Sequence, residues 1–347
     1  MGETDRPYIT GGMFGLAEPL NPRHSAPPFS MDKSLLLANA RSGIAVLIEL
    51  LSPGRVWMPS YFCNHVLQTV GASGVTVRFY GVNYDLALPS REWINAVCPG
   101  DLVVLADYFG FPCDPACIQQ IQERGGLVLE DASQALLTRG VGRCADFVLY
   151  SPRKFLGVPD GGILVLREKL CTEPVLEPPP AAWWLKAFEA AVLRREFDRY
   201  GGDRRWFELF RESELEGPVG RFAMSELSRL LLLHGFDYAE IAEKRVVNYR
   251  QLVSELGTIA MFPTLPEGVV PLGFPIRVRQ RDQLREALFS HNIYPPVHWP
   301  LQGVVPDVFA DSHRLSATIM TLPCDQRYGP ADMERIANII KRNKACF

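Results

Sequence analysis

The chain has 347 residues, of which 47% are hydrophobic and 22% are charged, and its formal net charge at pH 7 is −3. This length accommodates about two domains with sizeable buried cores. The moderate and balanced charge disfavours both a disordered chain and a surface that coats nucleic acid.

The cysteine content and the N-terminal segment indicate in which cellular compartment the protein is expected. The eight cysteines are too dilute for a disulfide scaffold and form no CxxC pair, so we expect free thiols. The N-terminal segment is polar and lacks the apolar core of a signal peptide. No apolar run reaches the ~18 residues that predict a membrane span. We therefore expect a soluble cytoplasmic protein.

The first part of the chain alternates between helical and strand patterns. Residues 1–30 are rich in Pro, Gly and turn formers, which predicts an extended N-terminal arm. Helices are predicted over 42–51, 66–70 and 114–124, and strands over 55–58, 75–80, 102–106, 127–130, 147–150 and 163–166. This alternation is typical of a mostly parallel sheet covered on both faces by helices, with ligands bound beyond the carboxyl ends of the strands.

The character of the chain changes after Glu177. Residues 181–256 have helical patterns with many aromatic and arginine side chains, which indicates a helical insertion at about 177–220. The C-terminal part predicts strands over 270–278 and 319–322 and helices over 282–291 and 331–342. We expect an α/β fold with a large domain at 31–245 and a small C-terminal α/β domain at 246–347.

Lysine is scarce, which makes each lysine easy to inspect as a candidate for amine chemistry. The chain has 29 arginines but only seven lysines, and Lys154 is the only lysine between residues 34 and 168. It stands in Ser-Pro-Arg-Lys-Phe-Leu-Gly, directly after the predicted strand at 147–150. A lone lysine in such a loop is an ordinary solvated residue unless its neighbours supply a matching chemistry.

Two further features supply that chemistry. Asp131 follows the predicted strand at 127–130, and Ser42 with Gly43 opens an apolar helix whose first N–H groups favour an anion. Pyridoxal phosphate requires a lysine that binds its aldehyde, a carboxylate that keeps its pyridine nitrogen protonated, and a cradle for its phosphate. Ser151, three residues before the lysine, is a candidate phosphate contact.

These motifs resemble those of fold-type I pyridoxal-phosphate enzymes, and most closely the DegT/StrS family of sugar aminotransferases. Residues 130–134 (Glu-Asp-Ala-Ser-Gln) resemble the family's Glu-Asp-Ala-Ala-Gln, and residues 154–162 resemble its lysine loop, which ends in Glu/Asp-Gly-Gly. Weaker likenesses are the helix start at 42–44, the stretch at 59–63, the Ala-Met-Ser at 223–225, and the segments at 297–301 and 322–324. The likeness extends from about residue 35 to 343.

The resemblance implies a role for each matching residue. Lys154 would bind the cofactor and move a proton between substrate and cofactor carbons, Asp131 would pair with the pyridine nitrogen, and Gln134 would lie near the ring hydroxyl. The residues that would hold the phosphate are Ser42, Gly43, Ile44 and Ser151. His298 and Arg221 would contact the acceptor or a partner subunit.

The resemblance also implies a reaction and an assembly. The donor would be an amino acid, either glutamate or glutamine, and the acceptor a nucleotide-linked keto sugar in glycan or secondary-metabolite biosynthesis. The active sites would be shared between the two subunits of a homodimer. No metal, nucleic acid or membrane is expected as a partner.

The sequence departs from the family pattern at several positions. Ile44 and Ala223 replace a Thr and an Arg, and Cys63 stands where the family has the aromatic residue that stacks on the ring. The aromatic residues available as substitutes are Tyr61, Phe62 and Tyr108. The spacing from Ser151 to the lysine is three, whereas the family more often has five. These departures leave open another pyridoxal-phosphate reaction, such as dehydration, decarboxylation or acyl transfer, and a non-catalytic protein of the same fold.

Other chemistries have weaker support in the sequence. Ser-x-x-Lys is also a nucleophile motif of penicillin-binding proteins, but the accompanying Ser-Asp-Asn and Lys-Thr-Gly elements are absent. Cys63 with His65, and the cysteines at 113 and 117, lack the paired spacing of structural zinc sites. No GxGxxG follows a predicted strand, which disfavours dinucleotide binding.

Overall fold

The computed structural model describes residues 9–31, 34–167 and 174–347. The elements of the first half are β1 (Thr10–Gly11), β2 (Ser34–Leu37), α1 (Ala40–Leu51), β3 (Arg55–Pro59), α2 (Asn64–Ala72), β4 (Thr76–Tyr80), β5 (Leu102–Ala106), α3 (Pro115–Glu123), β6 (Leu127–Asp131), β7 (Phe147–Tyr150) and β8 (Gly162–Leu166). Those of the second half are α4 (Ala181–Tyr200), α5 (Arg205–Leu215), α6 (Glu226–His234), α7 (Tyr238–Leu256), β9 (Phe274–Arg277), α8 (Arg281–Phe289), β10 (Ile293–Tyr294), α9 (Ala310–Thr318), β11 (Ile319–Leu322) and α10 (Pro330–Arg342).

A seven-stranded sheet organises the first half of the chain, in the order β2-β8-β7-β6-β5-β3-β4. Neighbouring strands from β4 to β7 are parallel, whereas β8 is antiparallel to both β7 and β2. The central strands are continuous apolar runs because both faces of the sheet are covered. The predicted α/β fold with a mostly parallel sheet is confirmed. Asp131 at the end of β6 pairs in register with Leu149 of β7, so these two strands end side by side.

Side-chain caps explain where two of the covering helices begin. The Asn39 side chain accepts a hydrogen bond from the Ser42 N–H (3.0 Å) at the start of α1. Asp114 does the same for the Ala116 N–H (2.9 Å) at the start of α3. Each cap satisfies one of the N–H groups that have no partner within the helix.

The predicted strand at 270–278 is shorter in the structure. Only Phe274–Arg277 forms a strand, which is antiparallel to β11. The backbone before this strand forms hydrogen bonds with other segments of the chain. The Val270 N–H donates to the Thr138 hydroxyl (3.0 Å), and the Leu272 N–H donates to the Phe109 carbonyl (2.9 Å). The sequence patterns also do not predict β2 or α9, because a short apolar run and a mostly polar helix both lack a clear periodicity.

Buried apolar residues form separate clusters in the two halves of the molecule. One large cluster surrounds the seven-stranded sheet. A second joins the end of α7 to β9, β11 and α10, and a third joins the lysine loop to α6 and the start of α7. The expected boundary between the large and small domains, at 245–246, therefore lies inside α7. Among the helices of the described ranges, none has the length and apolar character that crossing a bilayer demands.

The described part of the predicted N-terminal arm crosses the loop that carries Lys154; residues 1–8 of the arm lie outside the described residues. β1 pairs in parallel with β10, and the Ala17 N–H donates to the Gly157 carbonyl (2.8 Å). Gly157 permits this approach, since a Cβ there would lie 2.1 Å from the Gly15 carbonyl oxygen. The arm is thus held against the lysine loop by backbone contacts.

Candidate active site

Lys154 lies in the loop that follows β7. Pro152–Lys154 forms a single turn of 3-10 helix, and the Lys154 N–H donates to the Ser151 carbonyl (3.2 Å). The Lys154 side chain is exposed and lines a cavity. Its positive charge acts on Asp131, Glu214 and His298. The structure therefore brings the predicted amine close to the predicted carboxyl group and to His298.

The lysine loop is anchored from the C-terminal part of the chain. Phe155 is fully buried, and its carbonyl accepts from the Gln326 side chain (2.6 Å). Gln326 in turn accepts from Arg245 Nε (2.7 Å), whose guanidinium carbon lies 4.5 Å from the centre of the Phe155 ring. These contacts fix the backbone on the C-terminal side of Lys154.

Asp131 and Gln134 lie at the carboxyl end of β6, and both side chains are buried. Burial raises the pKa of Asp131, while the Lys154 charge and the hydrogen bond from the Ser133 N–H oppose that rise. Gln134 Oε1 accepts from the Phe109 N–H (2.7 Å), but the buried Nε2 has no hydrogen-bond partner among the described residues. An unpaired buried donor costs about 1–3 kcal/mol, which points to an acceptor on a ligand.

The start of α1 supplies the residues predicted to hold a phosphate. Ser42, Gly43 and Ile44 are buried, and the Ile44 side chain belongs to the core cluster around the sheet, so only its backbone is available. A Cβ on Gly43 would lie 2.5 Å from Leu149 Cδ1, so a larger residue there would require the Leu149 side chain to shift. The Ser42 hydroxyl donates to the Pro218 carbonyl (3.1 Å). Their contact with a phosphate stays a prediction.

A cavity of about 490 Å³ adjoins Lys154. The lysine loop contributes Ser151, Arg153 and Lys154 to its lining, and His298 lines it too. The remaining lining includes arm residues 11–14 and the α5 side chains Trp206, Phe207 and Phe210. The other predicted cofactor residues, namely Asp131, Gln134, Ser42, Gly43 and Ile44, are not part of the lining.

His298 is held by aromatic and polar neighbours. Its Nδ1 lies 3.3 Å from the Thr321 hydroxyl, and its ring packs edge-on against Phe109 with the ring centres 5.3 Å apart. Burial and the nearby Lys154 charge lower the pKa of His298 to about 3. The imidazole is therefore neutral at physiological pH and acts there as a hydrogen-bonding group, not as a cation.

The three aromatic residues considered as substitutes for the missing stacking residue are all buried. The Tyr61 hydroxyl donates to the His298 carbonyl (2.6 Å), and the Tyr108 hydroxyl donates to the Tyr61 carbonyl. Phe62 packs against Trp299 with the ring centres 6.1 Å apart. Tyr61 and Tyr108 thus form a chain that ends at the backbone of His298. Which aromatic stacks on a ring stays open.

Arg221 lies away from this cluster. Its guanidinium forms an ion pair with Glu49 of α1 (2.7 Å), and the side chain is 42% exposed. Arg221 does not line the cavity. The structure therefore does not bring it together with Lys154, and its predicted contact with the acceptor or a partner subunit stays a prediction.

A second pair of carboxyl groups, from Asp107 and Glu130, lies close to the end of β6. Both are buried, Asp107 Oδ1 accepts from the Cys113 N–H (2.8 Å), and Glu130 Oε2 accepts from the Gly142 N–H (2.9 Å). Burial and the neighbouring Glu130 raise the pKa of Asp107 well above its ordinary value. Burial also raises the pKa of Glu130. Both carboxyl groups therefore hold a proton more readily than an exposed carboxyl group does.

Two charged residues of the cavity, Arg153 and Glu214, are missed by the sequence reasoning. They form an ion pair although 61 positions separate them in the chain. Arg153 has no distinguishing signal in the sequence, because arginine is abundant in this chain, even though the residue stands next to Lys154. Glu214 lies on α5 among other acidic residues, so no local pattern distinguishes it.

The residues present fit pyridoxal phosphate. An exposed amine lines a cavity, its charge acts on a buried carboxyl group at the neighbouring strand end, and a buried amide donor close in sequence to that carboxyl group has no partner in the described chain. Lys154, Asp131 and Gln134 are the side chains that the resemblance assigns to the aldehyde, the pyridine nitrogen and the ring hydroxyl. Of the residues predicted to hold the phosphate, Ser151 lines the cavity, whereas the Ser42 N–H and hydroxyl bond to Asn39 and Pro218.

Comparisons with known proteins identify what this chain is similar to. A model of the DegT/DnrJ/EryC1/StrS aminotransferase family matches residues 33–341. The chain is 22% identical over 314 residues to the dTDP-4-dehydro-2,3,6-trideoxy-D-glucose 4-aminotransferase of Saccharopolyspora spinosa, which covers 85% of this chain and 80% of that protein.

Solved structures share the fold. PseC of Helicobacter pylori, an aminotransferase involved in the biosynthesis of pseudoaminic acid, aligns with a TM-score of 0.67 at 15% identity over 90% of this chain and 87% of that one. The aminotransferase TlmJ of Streptoalloteichus hindustanus aligns with a TM-score of 0.64 at 20% identity over 90% of this chain and 86% of that one. At these identities the likeness establishes the fold.

Proposed function

Since the chain belongs to the DegT/DnrJ/EryC1/StrS aminotransferase family, as its motifs predict, we propose that it moves an amino group from an amino acid to a keto sugar with pyridoxal phosphate as cofactor. One observation carries the proposal: an exposed lysine and a buried carboxyl group lie beyond the ends of two neighbouring, paired strands. Lys154 follows β7, Asp131 ends β6, and the charge of the lysine lowers the pKa of the carboxyl group against the effect of burial.

The proposed chemistry divides between the cofactor and the chain. When bound, the cofactor supplies an electron sink that stabilises negative charge on the carbon bearing the amino group. Lys154 Nζ takes the proton from that carbon of the donor, and in the acceptor half of the reaction it delivers a proton to the carbon that receives the amino group. The amine must be neutral to act as a base.

The remaining residues bind and orient in this proposal. Asp131 pairs with the pyridine nitrogen and keeps a proton on it, since a carboxylate beside that nitrogen favours its protonated form. Gln134 Nε2, which has no partner among the described residues, donates to the ring hydroxyl. The phosphate contacts are the side chains or backbone of Ser42, Gly43, Ile44 and Ser151.

We propose that the acceptor is a nucleotide-linked keto sugar used in glycan or secondary-metabolite biosynthesis. The support is the relative from Saccharopolyspora spinosa, whose substrate is a dTDP-linked keto sugar by its name. The cavity also combines cationic and aromatic groups: Arg204 lies 5.1 Å from the Tyr294 ring centre, and Arg285 lies 5.0 Å from that of Phe289. Such pairs suit a ligand with charged phosphates and flat rings. His298 is the proposed neutral contact to the sugar.

The proposed assembly is a cytoplasmic homodimer with shared active sites. Ten large apolar side chains are strongly exposed in the described chain, and six of them lie between residues 185 and 230. They are Leu185, Tyr200, Phe207, Leu215, Val219 and Leu230. Apolar exposure concentrated in one segment is typical of a protein interface. Sedimentation velocity of the purified protein tests this, and a monomer at micromolar concentration would contradict it.

Half-reactions test the transamination itself. We expect the purified protein with bound pyridoxal phosphate to convert glutamate or glutamine to the corresponding 2-oxo acid in the absence of an acceptor, with loss of the absorption band of the lysine-bound cofactor. A dTDP-linked keto sugar should then restore the band and yield an amino sugar detected by mass spectrometry. Release of carbon dioxide, or loss of water from the sugar without gain of nitrogen, would indicate another reaction of the same cofactor.

A further inference from the structure

The segment from Glu214 to Pro218 covers the start of α1. The Pro218 carbonyl accepts from the Ser42 hydroxyl (3.1 Å) and from the Asn39 side-chain amide (2.7 Å). The Glu214 carbonyl accepts from Arg41 Nη2 (2.8 Å). Donors at the helix start that would suit an anion are thus engaged by protein oxygen atoms.

A carboxylate from the same segment enters the cavity. Glu214 lines the cavity together with Ser151, Arg153 and Lys154, and its side chain forms an ion pair with Arg153. The Glu214 side chain is 37% exposed, because it faces the cavity and not the protein interior. Burial alone would raise the pKa of Glu214, but the charges of Arg153, Arg41 and Lys154 together lower it. Glu214 is therefore an anion surrounded by three cations.

The cations around Glu214 stand next to proposed phosphate contacts in the sequence. Arg41 precedes Ser42 at the helix start, and Arg153 stands between Ser151 and Lys154. Arg153 can also donate one further hydrogen bond, since its buried Nε has no hydrogen-bond partner among the described residues. Arginine binds phosphate and carboxylate oxygens with the same planar set of donors.

We propose that Glu214 is an internal counter-ion that competes with the cofactor phosphate for Arg153. The phosphate of pyridoxal phosphate displaces the Glu214 carboxylate, and Arg153, with Arg41 beside it, then becomes a phosphate-binding residue. The inference rests on the proposed function, since it requires that the chain bind this cofactor. Its consequence is that Glu214 weakens binding of the phosphorylated cofactor but not of its unphosphorylated form.

The chain offers a matched control on the same helix. Glu212 stands two positions before Glu214 on α5, and its carboxylate pairs with Lys186 (3.0 Å) outside the cavity. Glu212→Gln therefore removes the same charge from the same helix without changing the surroundings of Arg153. Glu214→Gln removes the charge inside the cavity and keeps the size of the side chain.

Cofactor binding measured by fluorescence with pyridoxal phosphate and with pyridoxal tests the inference. We expect Glu214→Gln to bind pyridoxal phosphate about 3- to 10-fold more tightly than the wild type, as the loss of one competing ion pair implies. Arg153→Gln should bind it about 10-fold more weakly. Pyridoxal should bind all variants equally, and Glu212→Gln should match the wild type with both ligands.

Inorganic phosphate provides a second readout that needs no cofactor. It should raise the melting temperature of Glu214→Gln more than that of the wild type or Glu212→Gln. If Glu214→Gln fails to fold, Glu214→Asp, whose shorter side chain withdraws the carboxylate, should show the same tightening for pyridoxal phosphate. Equal affinities for wild type and both Glu214 variants, or tightening for pyridoxal as well, would overturn the inference.

The outcomes separate this inference from the proposed function. A wild-type chain that binds no pyridoxal phosphate would overturn both. A chain that binds the cofactor through Lys154 but shows no dependence on Glu214 would leave the aminotransferase intact and reject the counter-ion alone.

Discussion

Substituting Gly157 by alanine should detach the N-terminal arm from the lysine loop. The new Cβ would lie 2.1 Å from the Gly15 carbonyl oxygen, about 1.4 Å closer than ordinary contact at ~3.5 Å. The obstacle is backbone and not a flexible side chain, so the arm must move. That movement breaks the hydrogen bond from Ala17 to Gly157, worth about 1 kcal/mol. It also separates Phe14 from the Arg327 guanidinium 4.0 Å away, at a cost of about 1 kcal/mol.

The expected loss in free energy of unfolding is therefore about 2 kcal/mol, within the ~1–3 kcal/mol typical of overpacking. Urea denaturation measures this loss, and limited trypsin digestion reports the release of the arm through faster cleavage at Arg23. Because arm residues line the cavity, the KM for the acceptor should rise more than kcat falls. Gly71→Ala is the control: a Cβ there meets nothing within 4 Å, and alanine favours the helix by up to about 1 kcal/mol. A Gly157→Ala chain that is as stable in urea and as resistant to trypsin as the wild type would contradict the predicted displacement of the arm.

Three further predictions concern titratable groups. Asp131→Asn should slow the half-reaction with glutamate about 100-fold in stopped-flow absorbance, and a rate equal to that of the wild type would contradict its role. The folded-state pKa of Asp107 is raised by burial and Glu130, so its contribution to stability is fully present below the unfolded pKa and is lost as pH rises towards the folded pKa. Urea titrations from pH 4 to 8 should thus show a steeper decline in stability for the wild type than for Asp107→Asn, and parallel curves would contradict the raised pKa of Asp107. The pKa of His298 is lowered to about 3, so stability that is full above the unfolded pKa near 6.5 is lost as pH falls towards 3. His298→Gln should therefore lose less stability than the wild type between pH 7 and 4, and an equal loss would contradict the lowered pKa of His298.

Much of the fold follows from local features of the sequence. Leu102–Ala106 is a strand with the predicted bounds because an apolar run between turn residues has few alternatives in a covered sheet. Asp114 begins α3 as predicted because its side chain caps the helix and Pro115 follows it. Phe274–Arg277 is shorter than predicted because the residues before it bond to Thr138 and Phe109, which are distant in sequence.

The residues of the candidate site likewise divide into those with a local signal in the sequence and those that depend on contacts between distant segments. Lys154 and Asp131 can be proposed from the sequence because each follows a recognisable strand, and parallel strand ends meet at one edge of the sheet. Glu214 carries no such signal, since its importance arises from a contact with Arg153 across 61 positions. Gly157 likewise looks like an ordinary loop glycine until the arm is seen to cross it. Contacts between distant segments decide these roles, and periodicity does not encode them.

The most direct test of the account is to locate the cofactor on the chain. Borohydride reduction of the protein with bound pyridoxal phosphate, followed by peptide mass spectrometry, should find a single phosphopyridoxyl group on Lys154 and on none of the other six lysines. Lys154→Ala should take up no reducible cofactor. A label on another lysine, or a reducible band that persists in Lys154→Ala, would contradict the account.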